Sequence, residues 1–154
     1  MRPRVLIVAY GNSLRSDDGV AWRVAAALQG KFPEDEVEIQ CLLQLGPEVA
    51  ESVRRSECVI FVDAATVQHP GQIEIKALLG EAKSTRTPAF AHALNPVAVV
   101  NLAAQLYHAH PRAFSATITA QTFEHGESLS PVIAAALPEL VARLEAKVRE
   151  FLKL

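Results

Sequence analysis

Asp18, Asp63 and His92 carry the chemistry of a divalent-cation site. Two carboxylates and an imidazole form a hard-to-borderline donor set, suited to nickel or zinc and poorly suited to copper(I), which prefers sulfur. The donors must be deprotonated to bind, so affinity is expected to weaken as pH falls through the histidine range at about 6.5. Each residue also has a plainer reading. Asp17 and Asp18 stand where a helical pattern begins, and carboxylates there cap unpaired backbone N–H groups and complement the helix dipole. An aspartate just past a buried strand is commonly a turn residue, and a loop histidine is commonly only a hydrogen-bonding group.

What links the three is the order of the elements that carry them. Val5 to Ala9 is an apolar run of strand length that meets a turn at Gly11 and Asn12. A helix is expected from about Asp18 to Leu28, with Val20, Val24, Ala27 and Leu28 inward and Gly30 at its end. Val37 to Leu43 reads as a second strand, followed by a helix with Pro47 at its first position. Cys58 to Val62 is continuously apolar, the pattern of a central parallel strand, and Asp63 ends it. Turn chemistry from Gln68 to Gly71 precedes a strand over Gln72 to Lys76, and Gly80 to Pro88 reads as loop. Asn95 caps a helix opened by Pro96, with Val97, Val100, Leu102, Ala104 and Leu106 inside. A strand around Phe114 to Thr122 comes next, then a long helix opened by Ser130 and Pro131, which Pro138 must kink or split.

Strands alternating with helices predict an α/β doubly wound sandwich, a single domain over residues 1–154, with a mostly parallel central sheet and helices on both faces. Ligands of such sheets bind in the crevice at the carboxyl ends of the strands. Asp18 follows the first strand, Asp63 terminates the central one, and His92 sits in a loop over the same edge.

Composition narrows the function classes. The net charge is −2 and both signs are interspersed, so no basic stripe points to nucleic acid or an anionic membrane. Half the residues are hydrophobic, yet no run approaches a membrane span and the first apolar run is too short for a signal peptide. Cys41 and Cys58 each border an apolar strand and read as buried thiols in a reducing cytoplasm. There is no Gly-x-Ser-x-Gly elbow, catalytic-cysteine signature or His-Glu-x-x-His helix, nor a glycine-rich phosphate motif.

Four segments together resemble one family: G-N-x-L-x-x-D-D-G at Gly11 to Gly19, V-I-F-V-D-A at Val59 to Ala64, H-x-L-x-P at His92 to Pro96, and G-E-x-L-S at Gly126 to Ser130. They occur in the order found in the hydrogenase maturation proteases, endopeptidases that trim the C-terminal extension of the nickel-iron hydrogenase large subunit. The resemblance implies that Asp18, Asp63 and His92 match the positions contacting nickel, which is carried by the large-subunit precursor; another divalent metal can stand in for it. Many members carry Glu where this chain has Asp18, which sets the charge back by about one methylene. Asn12, Asp17 and Glu127 are candidates for supporting these residues. Two other readings remain open: a noncatalytic domain binding a nucleotide or small ligand in the same crevice, and a hydrogenase assembly chaperone that recognises the tail without cutting it.

Overall fold

The computed structural model describes residues 3–66, 69–78 and 94–153. Strands β1 (Val5–Tyr10), β2 (Val37–Leu42), β3 (Cys58–Ala65), β4 (Ile73–Ala77) and β5 (Arg112–Thr119) form one sheet in the order β2-β1-β3-β5-β4. All neighbours run parallel except β4, which pairs antiparallel with β5 at an edge. The helices are α1 (Val20–Leu28), α2 (Val49–Arg54), α3 (Pro96–Tyr107) and α4 (Pro131–Leu152).

The alternation of each strand sorts its side chains between two apolar layers. Val5, Ile7, Ala9, Ile60 and Val62 face α1 and α4. Leu6, Val8, Val59 and Phe61 face α2 and α3. Both faces of the central strands are therefore dry, as their unbroken apolar runs require. The doubly wound sandwich expected from sequence is the observed architecture.

The chain leaves β1 toward β2 on one side and returns across it to β3 on the other. The β1–β3 boundary is thus the switch point of the sheet, where the connecting loops part and leave a crevice at the carboxyl edge.

Several local expectations are corrected. Asp63 does not follow β3 but lies within it, paired in register with Thr117, because β5 runs on to Thr119 and keeps the ladder going. The first helix is preceded by a 3-10 turn, Ser16–Gly19, so Asp18 belongs to the turn and α1 begins at Val20. Pro47 lies in a turn two residues ahead of α2. Ala27 and Leu106 are exposed rather than inward: α1 turns Val24, Ala25 and Leu28 to the sheet instead, and Leu106 sits in the last turn of α3 beyond the apolar layer under it. Pro138 does not split α4, which is one helix from Pro131 to Leu152. Pro138 and Ala134, whose carbonyl loses its partner to the proline ring, are both exposed, so water can take that bond while Ile133, Leu140 and Leu144 pin the helix on its buried side. Asn95 caps α3 as read from sequence, accepting from the Ala98 N–H at 2.8 Å. Cys41 and Cys58 are free thiols. Gln68 and the segment Gly80 to Pro88 lie outside the described residues.

Candidate functional site

The turn after β1 is built by close approach. Gly11 leaves the strand at φ +148°, and a Cβ there would collide with the carbonyl oxygen of Asp18. A Cβ on Gly19 would lie 2.9 Å from Ser13 Cα. The two glycines let the chain fold back on itself over eight residues, and that fold aims Asp18 at the crevice. Asn12 holds the turn from within: its N–H donates to Asp18 Oδ2 at 2.7 Å, and its side-chain oxygen accepts from the Leu14 N–H at 2.9 Å. Asp18 accepts a bond within its own turn and does not cap α1.

Asp17 faces the opposite way and is fully buried. Its carboxylate accepts from the Ser130 N–H and hydroxyl at 2.7 Å each, and from the N–H groups of Gln121 and Thr122 at 2.9 and 3.1 Å. Burial works to raise its pKa, but these bonds outweigh it and hold the carboxyl below the ordinary aspartate range. The helix-cap reading of Asp17 is therefore replaced by a tie between two distant loops. Ser130 likewise spends its hydroxyl on Asp17 and makes no side-chain cap bond to α4. The seam continues along the chain: Ser16 N–H donates to the Gly126 carbonyl at 2.7 Å, Gly126 N–H to the Leu14 carbonyl at 2.9 Å, and the Ser16 hydroxyl to the Glu124 carbonyl at 2.7 Å. Thus the G-E-x-L-S segment braces the G-N-x-L-x-x-D-D-G turn.

Asp63 reaches the crevice from β3. The β1–β3 register ends at Ala9 and Val62, which leaves Tyr10 and Asp63 side by side on the α2–α3 face. Burial pushes the Asp63 carboxyl up to about 6; hydrogen bonding from the Tyr10 hydroxyl and the Ala64 N–H pulls it down, and the charge of Asp18 pushes it up again. The Tyr10 phenol is held far above its ordinary range, first by burial and then by the charges of Asp63 and Asp18. Asp18, Asp63 and Tyr10 thus sense one another at the switch point. Tyr10 is the member that sequence reasoning missed, although its place in the Leu6, Val8, Tyr10 alternation signalled that a phenol would end the strand on this face.

Two neighbouring carboxylates, one of them desolvated, carry a repulsion that a divalent cation would relieve, so their chemistry fits a metal held between them. Among the described residues no group of three His, Cys, Asp or Glu side chains could hold a metal. His92, the third candidate, lies outside the described residues. Two positions later the Leu94 N–H donates to the Leu45 carbonyl at 3.1 Å, on the same α2–α3 face. Glu127 is exposed and lines a different cavity, about 220 Å³, with Ser13, Ser16, Trp22 and Arg23; its carbonyl accepts from Arg23 Nη2 at 3.0 Å.

The chain matches no family model and no curated relative. Its fold does match solved structures over nearly its whole length. The hydrogenase maturating endopeptidase HybD from E. coli aligns with a TM-score of 0.74 at 22% identity, covering 96% of this chain and 93% of that one. The hydrogenase 2 maturation peptidase from Thaumarchaeota archaeon SCGC_AB-539-E09 gives 0.70 at 20% identity, over 94% and 97%. The [NiFe] hydrogenase maturation protease HycI from Thermococcus kodakarensis KOD1 gives 0.67 at 24% identity, over 99% and 94%. The fold is that of the [NiFe] hydrogenase maturation proteases.

Proposed function

We propose that this single-domain chain is an endopeptidase that removes the C-terminal extension of a nickel-iron hydrogenase large subunit after nickel insertion. The observation that carries the reading is the pair Asp18 and Asp63 at the switch point of a fold shared with hydrogenase maturation proteases. In this reading nickel arrives within the substrate, and Asp18, Asp63 and His92 complete its coordination. Only a loaded precursor is then drawn into the crevice with its tail across it.

The residues divide the work. Asp18, fixed by the Asn12 N–H, supplies one carboxylate to the cation. Asp63, desolvated beside it, is the second carboxylate at the cation, and one carboxylate of the pair takes a proton from the water attacking the scissile carbonyl. That water's oxygen joins the carbonyl carbon, the carbon–nitrogen bond breaks, and the proton passes to the leaving amine. A nickel ion held by Asp18, Asp63 and His92 would polarise the carbonyl or lower the attacking water's pKa. Leu14 and Leu43, on the loops after β1 and β2, are large exposed apolar side chains at the same edge and suit contact with a polypeptide.

Incubating the chain with nickel-loaded and metal-free large-subunit precursor, with mass spectrometry of the released peptide, tests this. Release from the loaded form alone is expected. Equal release from both forms removes nickel recognition, and binding without release assigns the chain to the chaperone reading. A phosphate-binding alternative is disfavoured because the Asp18 carboxylate takes the Asn12 N–H in the turn where a phosphate would dock.

A further inference from the structure

The edge of the sheet opposite the candidate site holds a second cavity, of about 230 Å³, where β1, β3 and β5 begin and α4 ends. Its lining contains four cations, Arg4, Arg112, Lys147 and Lys153, against one carboxylate, Glu150. The whole chain has 15 Lys and Arg against 17 Asp and Glu, so this is a local excess of positive charge on an acidic protein. Arg4 is partly neutralised by Glu57 at 3.3 Å and Glu36 at 4.0 Å. Among the described residues, Arg112, Lys147 and Lys153 have no carboxylate within 4.0 Å.

Two of these cations are held rather than loose. The Arg112 guanidinium lies 5.5 Å from the Phe114 ring centre and 5.7 Å from that of Phe151, and Lys147 Nζ lies 4.2 Å from Phe114. The ring faces restrain the side chains and leave their N–H donors unspent. The Cys58 thiol, also in the lining, is buried and stays neutral at physiological pH, its pKa pushed up to about 11 by burial although Arg112 and Lys147 pull it down. It adds no negative charge to offset them.

We infer that this cavity binds the phosphoryl group of a small molecule through Arg112, Lys147 and Lys153. A planar arginine fork and two ammonium groups around a space of this size match an oxyanion with two or three charges and several acceptor oxygens, beyond what a monocarboxylate supplies. The site is independent of the endopeptidase reading, since it shares no residue with it.

Calorimetric titration of the chain with pyrophosphate, at physiological salt, tests the inference. Saturable binding in the submillimolar range is expected, weakened roughly tenfold or more in Arg112→Gln and in Lys147→Gln. Both variants keep much of the side chain's length, and thermal melts of each establish that they are folded; if either is not, Lys153→Gln, at the exposed C-terminal end of α4, replaces it. Lys76→Gln, which removes an exposed cation on β4, is the control and should bind as the wild type does. Absence of saturable binding, or equal affinity in the variants, overturns the site. Citrate binding as tightly as pyrophosphate overturns the phosphoryl assignment.

Discussion

Two adjacent aspartates, Asp17 and Asp18, do unrelated work, and their surroundings say which is which. Asp17 satisfies four donors from loops more than a hundred residues away, so Asp17→Ala should leave those groups unpaired and cost about 3–5 kcal/mol, lowering Tm by roughly 6 °C or more. Because its pKa is lowered by folding, its contribution is present above the ordinary aspartate range and is lost as pH falls below it; the variant's deficit should shrink in acid. Asp63 has the opposite sign. Its folded pKa of about 6 exceeds the unfolded 3.8, so the stability it lends is full below about 4 and gone above about 6. Asp63→Asn should therefore melt above the wild type at pH 8, by about 1–3 kcal/mol or a few degrees, and the gap should close at pH 4. Thermal melts across pH read both outcomes, and an Asp63→Asn protein less stable than wild type at pH 8 would contradict the assigned desolvation.

At the scale of elements, the strands and the buried helix faces were legible because their apolar periodicity is dictated by two-sided burial. Val5 to Ala9 and Cys58 to Val62 could hardly be anything but central strands, and Asn95-Pro96 announced its helix through a side chain that caps locally. What escaped was whatever depends on a partner far along the chain. Asp63 reads as a turn residue until β5 is known to pair with β3 as far as Ala65 and Thr119; Asp17 and Ser130 each resemble a helix cap, but they bond to each other. Likewise Pro138 reads as a break only if the buried contacts that hold α4 together are ignored. Restoring the missing donor with Pro138→Ala should stabilise the chain by about 1–3 kcal/mol, visible as a rise in melting temperature. A fall instead would show that α4 is built around its proline.

For the molecule as a whole, the sheet order decides what can meet. Placing β1 between β2 and β3 opens the crevice between the turn that carries Asp18 and the last residues of β3, which carry Asp63, residues that sequence distance alone would never pair. That Asp18 and Asp63 come close enough for their charges to interact was expected from the carboxyl-edge rule; that the Tyr10 hydroxyl hydrogen-bonds Asp63 was not, because it follows from register. At the opposite edge of the sheet, Arg112, Lys147 and Lys153 line a cavity and have no carboxylate within 4.0 Å among the described residues. In the proposed reaction the two aspartates share a cation brought by the substrate. Nickel K-edge absorption of the loaded large-subunit precursor, recorded before and after adding the chain, tests it most directly. New oxygen or nitrogen donors on nickel are expected with the wild-type chain and not with the Asp18→Asn, Asp63→Asn double variant. A spectrum unchanged by the wild-type chain, or changed equally by the variant, would contradict it.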